Sequence, residues 1–107
     1  VNANEMKATI GFSGSYQQGL KSSFNVKFWL PEDATLIETG VDLVAKYPDG
    51  TVKSAHDRAT KFNARNEYTY TASFSDSKKT VEFKPYLTYK KDGVKTTVYG
   101  TSQTVEY

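Results

Sequence analysis

The chain contains no cysteine. That excludes disulfide bonds, thiolate metal sites and a cysteine nucleophile. Small secreted domains of higher organisms usually depend on disulfides, so a domain without them suits a cytosolic protein or one exported by a bacterium. Histidine is nearly as scarce: His56 is the only one, and zinc sites need several His or Cys ligands. No apolar run approaches the roughly 20 residues that cross a bilayer as a helix. An excess of one charge is lacking too. Fourteen basic residues face twelve acidic ones, a net charge of +2, which is too little bias for nucleic acid or an anionic membrane surface. The seven glycines fall singly, so no glycine-rich phosphate cradle is present. No cofactor, no metal, no nucleic-acid partner and no membrane insertion are therefore expected.

What remains is a β-type composition rich in Thr, Val and aromatics, with eight Tyr, six Phe and one Trp among 107 residues. That length predicts one domain, residues 1–107, able to bury about two-thirds of its unfolded surface without staples. The chain starts at Val1 with a polar VNANE lead, and it is expected to be a segment of a longer multidomain protein.

Alternation is the main pattern. Met6, Ala8, Ile10 and Phe12 alternate with polar residues, and GSYQQG (14–19) reads as a turn. Phe24, Val26, Phe28 and Leu30 alternate next, and Pro31 stops them. Ile37, Thr39, Val41, Leu43, Ala45 and Tyr47 follow, then the turn signal Tyr47-Pro48-Asp49-Gly50 and a short return strand at 51–53. SAHDRATKFNARN (54–66) lacks a period of two and reads as a surface crossover. Tyr68, Tyr70, Ala72 and Phe74 resume the alternation, and SDSKK (75–79) turns. VEFKPYLTYKKDGVKTTVYG (81–100) is a hairpin closed by Lys91-Asp92-Gly93, with Gly100 bulging the last strand. Seven short antiparallel strands with turns every 8–12 residues predict an all-β immunoglobulin-like β-sandwich, with a small barrel as the other option. The expected core is Ile10, Phe12, Phe24, Val26, Phe28, Val41, Leu43, Tyr70, Phe83, Leu87 and Val98.

Two stretches, IETGVDLVAKYPDG (37–50) and VEFKPYLTYKKDGVKTTVYGTSQTVEY (81–107), resemble the fibronectin type III-like and immunoglobulin-like modules of bacterial surface and secreted proteins. Phe83-Lys84-Pro85-Tyr86 and Val98-Tyr99-Gly100 stand where such modules carry their sixth- and seventh-strand signatures. The resemblance implies a non-catalytic spacer or adhesive module, extracellular or on a bacterial cell surface. Its partners would be neighbouring domains of the same chain, and a polysaccharide or a host or surface protein. A phage-tail or host-protein-binding module is a further reading.

Candidate chemistry is sparse. Ser54-Ala55-His56-Asp57 contains the parts of a hydrolytic triad, but four consecutive residues rarely converge as a triad must. Asp33, Asp42, Asp49, Asp57, Asp76 and Asp92 are scattered, whereas calcium needs clustered oxygens. Lys7 or Lys27 could supply the amine of a Lys–Asn crosslink, but no Asn follows Asn66. The basic loop Lys53, His56, Arg58, Lys61 and Arg65 reads as solvated surface. The informative residue is Trp29. Alternation turns it outward with Asn25 and Lys27, where its flat apolar face could stack on a sugar ring. Tyr86 falls on the outer phase of its own strand, beside Lys84 and Thr88, as the second ligand-binding candidate. If the two strands lie in different sheets, the two aromatics cannot form one platform.

Overall fold

The computed structural model describes residues 7–107, so the expected inward Met6 lies outside it. Eight strands form: β1 (Thr9–Gln18), β2 (Lys21–Trp29), β3 (Thr35–Lys46), β4 (Val52–Arg58), β5 (Glu67–Ser73), β6 (Thr80–Lys91), β7 (Val94–Tyr99) and β8 (Gln103–Glu106). They build two antiparallel sheets, β1-β2-β5 and β4-β3-β6-β7, with β8 also paired to β6. This is an all-β sandwich, compatible with the immunoglobulin-like arrangement. Its core is the set of inward residues that alternation selects. Phe24, Val26, Phe28, Val41, Phe83 and Leu87 are buried, and Phe12, Tyr70 and Val98 pack against them.

Four local features differ from the sequence reading. First, GSYQQG is not a turn. β1 bulges after Phe12 and continues to Gln18, and only Gly19 and Leu20 make the hairpin. Gly19 has a φ of 59°, the backbone that a type II′ turn needs at its first central residue. Second, residues 54–58 belong to β4. Every residue of this edge strand is exposed, so burial imposes no alternation on its sequence. The crossover is therefore only 59–66. Third, a bulge between Leu36 and Glu38 resets β3, which puts Leu36 against the core and leaves Ile37 in solvent.

The fourth difference makes eight strands of the expected seven. Pro85 lies inside β6, between β3 on one side and the β7–β8 edge on the other. In an antiparallel ladder the N–H and C=O of one residue face the same neighbour. The Pro85 carbonyl accepts from Gly100 N at 3.0 Å, so its missing N–H falls on that side as well. The last strand breaks there, between Tyr99 and Gln103.

Tyrosines tie the two sheets together. Tyr68 OH bonds Thr39 Oγ1 at 2.9 Å, and Thr39 in turn donates to the Tyr86 carbonyl at 3.0 Å. Tyr70 OH donates to Asp57 Oδ2 at 2.5 Å, and Tyr107 OH bonds Ser22 Oγ. Burial is the main cause that raises the pKa of Tyr68, Tyr70 and Tyr107, so all three stay protonated at neutral pH. The sandwich measures 47 × 27 × 25 Å. β1 begins beside Trp29 at one pole, and Tyr107 ends beside Ser22 at the other.

Candidate functional site

The structure separates the two aromatic candidates. Trp29 closes β2 in the smaller sheet, and Tyr86 sits in β6 in the larger one. Trp29 points outward and is 42% exposed. Tyr86 also lies on an outer face, as its phase predicts, but it is only 1% exposed. It is therefore no open stacking surface. The reason is the second half of β4, residues 54–58, which the sequence places in the crossover after a return strand at 51–53. His56 of β4 stacks on the Tyr86 ring, with centroids 4.3 Å apart and planes 20° from parallel.

That stack belongs to a polar cluster on the outer face of the larger sheet. Glu38, Gly40 and Asp42 are the outward phase of β3, and Gly40 pairs with Tyr86 on one side and Arg58 on the other. His56 Nε2 meets Glu38 Oε2 at 2.7 Å, His56 Nδ1 meets Asp42 Oδ1, and Tyr86 OH donates to the same Glu38 oxygen. The imidazole is clamped between two carboxylates. Hydrogen bonds to Asp42 first and Glu38 second raise the His56 pKa above its ordinary 6.5. Hydrogen bonds from Tyr86 first and His56 second lower Glu38 below its ordinary 4.5.

This geometry fastens; it does not assemble a triad. Both ring nitrogens face carboxylates, so neither is directed at a hydroxyl. Asp57, one residue on, faces the other way and holds Tyr70. Nor do the three ionisable groups share a centre. The carboxylates sit at opposite nitrogens of the ring, and no group of three or more His, Cys, Asp or Glu among the described residues could hold a metal ion.

The cluster gives stability a pH dependence whose sign follows from the shifts. A raised His56 contributes fully below about pH 6.5 and loses that contribution as pH rises through its folded pKa. A lowered Glu38 contributes fully above about pH 4.5 and loses it as pH falls through its folded pKa. Thermal melts should therefore show a plateau between those limits. His56→Gln should flatten the alkaline slope, and the His56 ring protons should titrate with a midpoint above 6.5. The amplitude should be modest, because solvent and salt screen an exposed pair.

Trp29 lies in different surroundings. An open cleft on the smaller sheet is lined by Trp29, Lys27, Arg65, Phe12, Gly11 and neighbouring residues. Its rim is pinned. Asn63 Oδ1 accepts from Arg65 N at 2.9 Å and Glu67 N at 3.0 Å, and Phe28 N donates to Asn66 O at 3.0 Å. A polar groove lined by Ser13, Asn25, Asn63, Glu67, Tyr68 and Thr69 continues from it. Sequence reasoning missed Tyr16, which is 65% exposed on the same face, because its segment had been read as a turn. It also missed Lys79, whose side chain is fully buried against Asp76.

Together the fold and these sites define an all-β sandwich domain with a locked polar face and an open aromatic cleft. The chain matches no protein-family model, no curated protein and no solved structure.

Proposed function

We propose that this domain is a non-catalytic structural or adhesive module of a bacterial cell-surface or secreted protein, of the immunoglobulin-like or fibronectin type III-like kind. It acts as a stiff spacer between neighbouring domains of its own chain. The observation that carries this reading is the elongated body of the described residues, 47 × 27 × 25 Å, in which Thr9 pairs with Trp29 at one end of β2 and Tyr107 bonds Ser22 near the other. Inner faces filled by side chains and sheets tied by tyrosines are what stiffness requires. The antiparallel two-sheet sandwich is the architecture that such modules share. The distance between spin labels at the two poles tests the proposal.

A second reading, a carbohydrate-binding module, is favoured by the half-exposed Trp29 beside its cleft. Tyr86 has no part in it. The cleft lies at the pole where β1 begins, lined by Thr9 and Trp29, so a bound sugar would sit beside that end of the module.

A further inference from the structure

We infer that the outer face of the smaller sheet binds an acidic polysaccharide, with Trp29 stacking on one sugar ring and Lys27 and Arg65 receiving its carboxylate. The inference rests on the carbohydrate reading and adds the ligand's charge and the residues that select it.

Charge is the first observation. The cleft residues include two cations and no acid. Neither Lys27 nor Arg65 forms an ion pair within the described residues, whereas Lys79 and Lys91 do. The nearest carboxylate in register, Glu67 opposite Lys27, is held by the Asn63 amide at 3.3 Å. Arg65 is carried by a loop whose backbone is pinned by Asn63, and its guanidinium can take a carboxylate in bidentate fashion. Lys27 stands two residues before Trp29 on the same side of β2, so ring and charge face one ligand.

The second observation is what surrounds them. Gly11 pairs with Lys27, and a Cβ added there would meet nothing within 4 Å. The floor beside the indole is therefore flat and open. Beyond it runs a row of hydroxyls and amides. Asn25 and Thr69 bond each other at 3.1 Å, and Ser23 and Thr71 do so at 3.1 Å. Tyr16, opposite Ser23, closes the row. Six residues of β2 separate the levels of Trp29 and Ser23, roughly 20 Å at the usual strand rise. Two aromatics at the ends of a long hydroxyl-and-amide strip suit an extended polymer dense in hydroxyls better than an acidic peptide.

Trp29 is the only tryptophan, so its emission reports this cleft alone. Hexagalacturonic acid, cellohexaose and poly-L-glutamate are titrated against the whole chain, with calorimetry in parallel. Hexagalacturonic acid should shift Trp29 emission and bind at least tenfold more tightly than cellohexaose. The double change Lys27→Gln, Arg65→Gln should abolish that preference, and Trp29→Ala should abolish binding by calorimetry. All three positions are exposed, and unchanged melting temperatures show that the variants fold. Equal, Trp29-dependent binding of cellohexaose overturns the charge inference and leaves the carbohydrate reading standing. Poly-L-glutamate binding as tightly as the acidic sugar overturns it in favour of an acidic peptide. Acidic-sugar binding retained by Trp29→Ala overturns the site. Binding of neither sugar ends both this inference and the carbohydrate reading, without touching the spacer proposal.

Discussion

Gly40→Ala should destabilise the domain by about 3 kcal/mol or more, far beyond the usual cost of one added methyl. A Cβ at Gly40 would collide with the Asp57 carbonyl, and it would stand 2.8 Å from Tyr86 Oη and 2.9 Å from Arg58 Cα. Two of these three neighbours are backbone of β4, so no side-chain rotation relieves the overlap. Either β4 peels from β3 or the Tyr86 ring moves, and each carries the His56 clamp with it. For a domain of this size the melting temperature should fall by roughly 15 °C. Gly11→Ala is the internal control. Nothing lies within 4 Å of its added Cβ and its φ is not positive, so its effect should stay within about 0.5 kcal/mol. Urea denaturation of the two variants side by side is the measurement. Equal small effects would mean that β4 does not sit where the structure places it.

Lys79→Ala should cost about 2–4 kcal/mol, as loss of a large buried side chain does. The Lys79 side chain is fully buried. Its ammonium lies 4.2 Å from the centre of the Phe74 ring, 5.7 Å from Tyr47 and 5.9 Å from Tyr107. It donates to Asp76 Oδ1 at 2.5 Å and to the Asp76 carbonyl at 2.8 Å. Asp76 itself is half exposed, and its pKa is lowered chiefly by the Lys79 hydrogen bond. The pair is therefore asymmetric. Removing the cation leaves a carboxylate that water can serve. Removing the carboxylate leaves a buried cation with one carbonyl and three rings. Lys79→Met keeps the stem and discards the charge, so it should cost less than about 1.5 kcal/mol. Asp76→Ala should be more damaging than Lys79→Met. The reverse order in urea denaturation would mean that the charge, and not its packed stem, holds this pole.

The sheet pairing behind both predictions was only partly legible in the sequence. Alternation marked the inward faces of β2, β3 and β6 because both sheets bury one side of each strand, and Phe24, Val41 and Phe83 could go nowhere else. β4 left no such trace. It is an exposed edge, and nothing in SAHDR distinguishes inside from outside. With the return strand ending at 53 and residues 54–58 in the crossover, the His56 clamp is invisible. Glu38, Gly40 and Asp42 form an obvious outward row, yet only register brings His56 over them. The same loss made Tyr86 look exposed. Trp29 was legible because its strand is buried on one side, so phase alone sends it outward. Tyr16 was not, because bulges add a residue that no period of two contains, and the bulge after Phe12 hid the second half of β1.

The proposed spacer role requires that the two poles of this sandwich be held at a fixed distance. A chain without cysteine allows it to be tested with Lys7→Cys and Glu106→Cys, spin-labelled and measured by pulsed electron resonance. Seven residues of β2 separate the levels of Ser22 and Trp29, roughly 23 Å at the usual strand rise. Lys7 precedes Thr9, the partner of Trp29, by two residues, and Glu106 lies near the Ser22 level, its carbonyl accepting from Gln17, on a body 47 Å long. The account expects one narrow distance between roughly 25 and 45 Å, set by strand rise. A distance under about 20 Å, shorter than those seven strand residues, or a broad distribution at any distance, would contradict it.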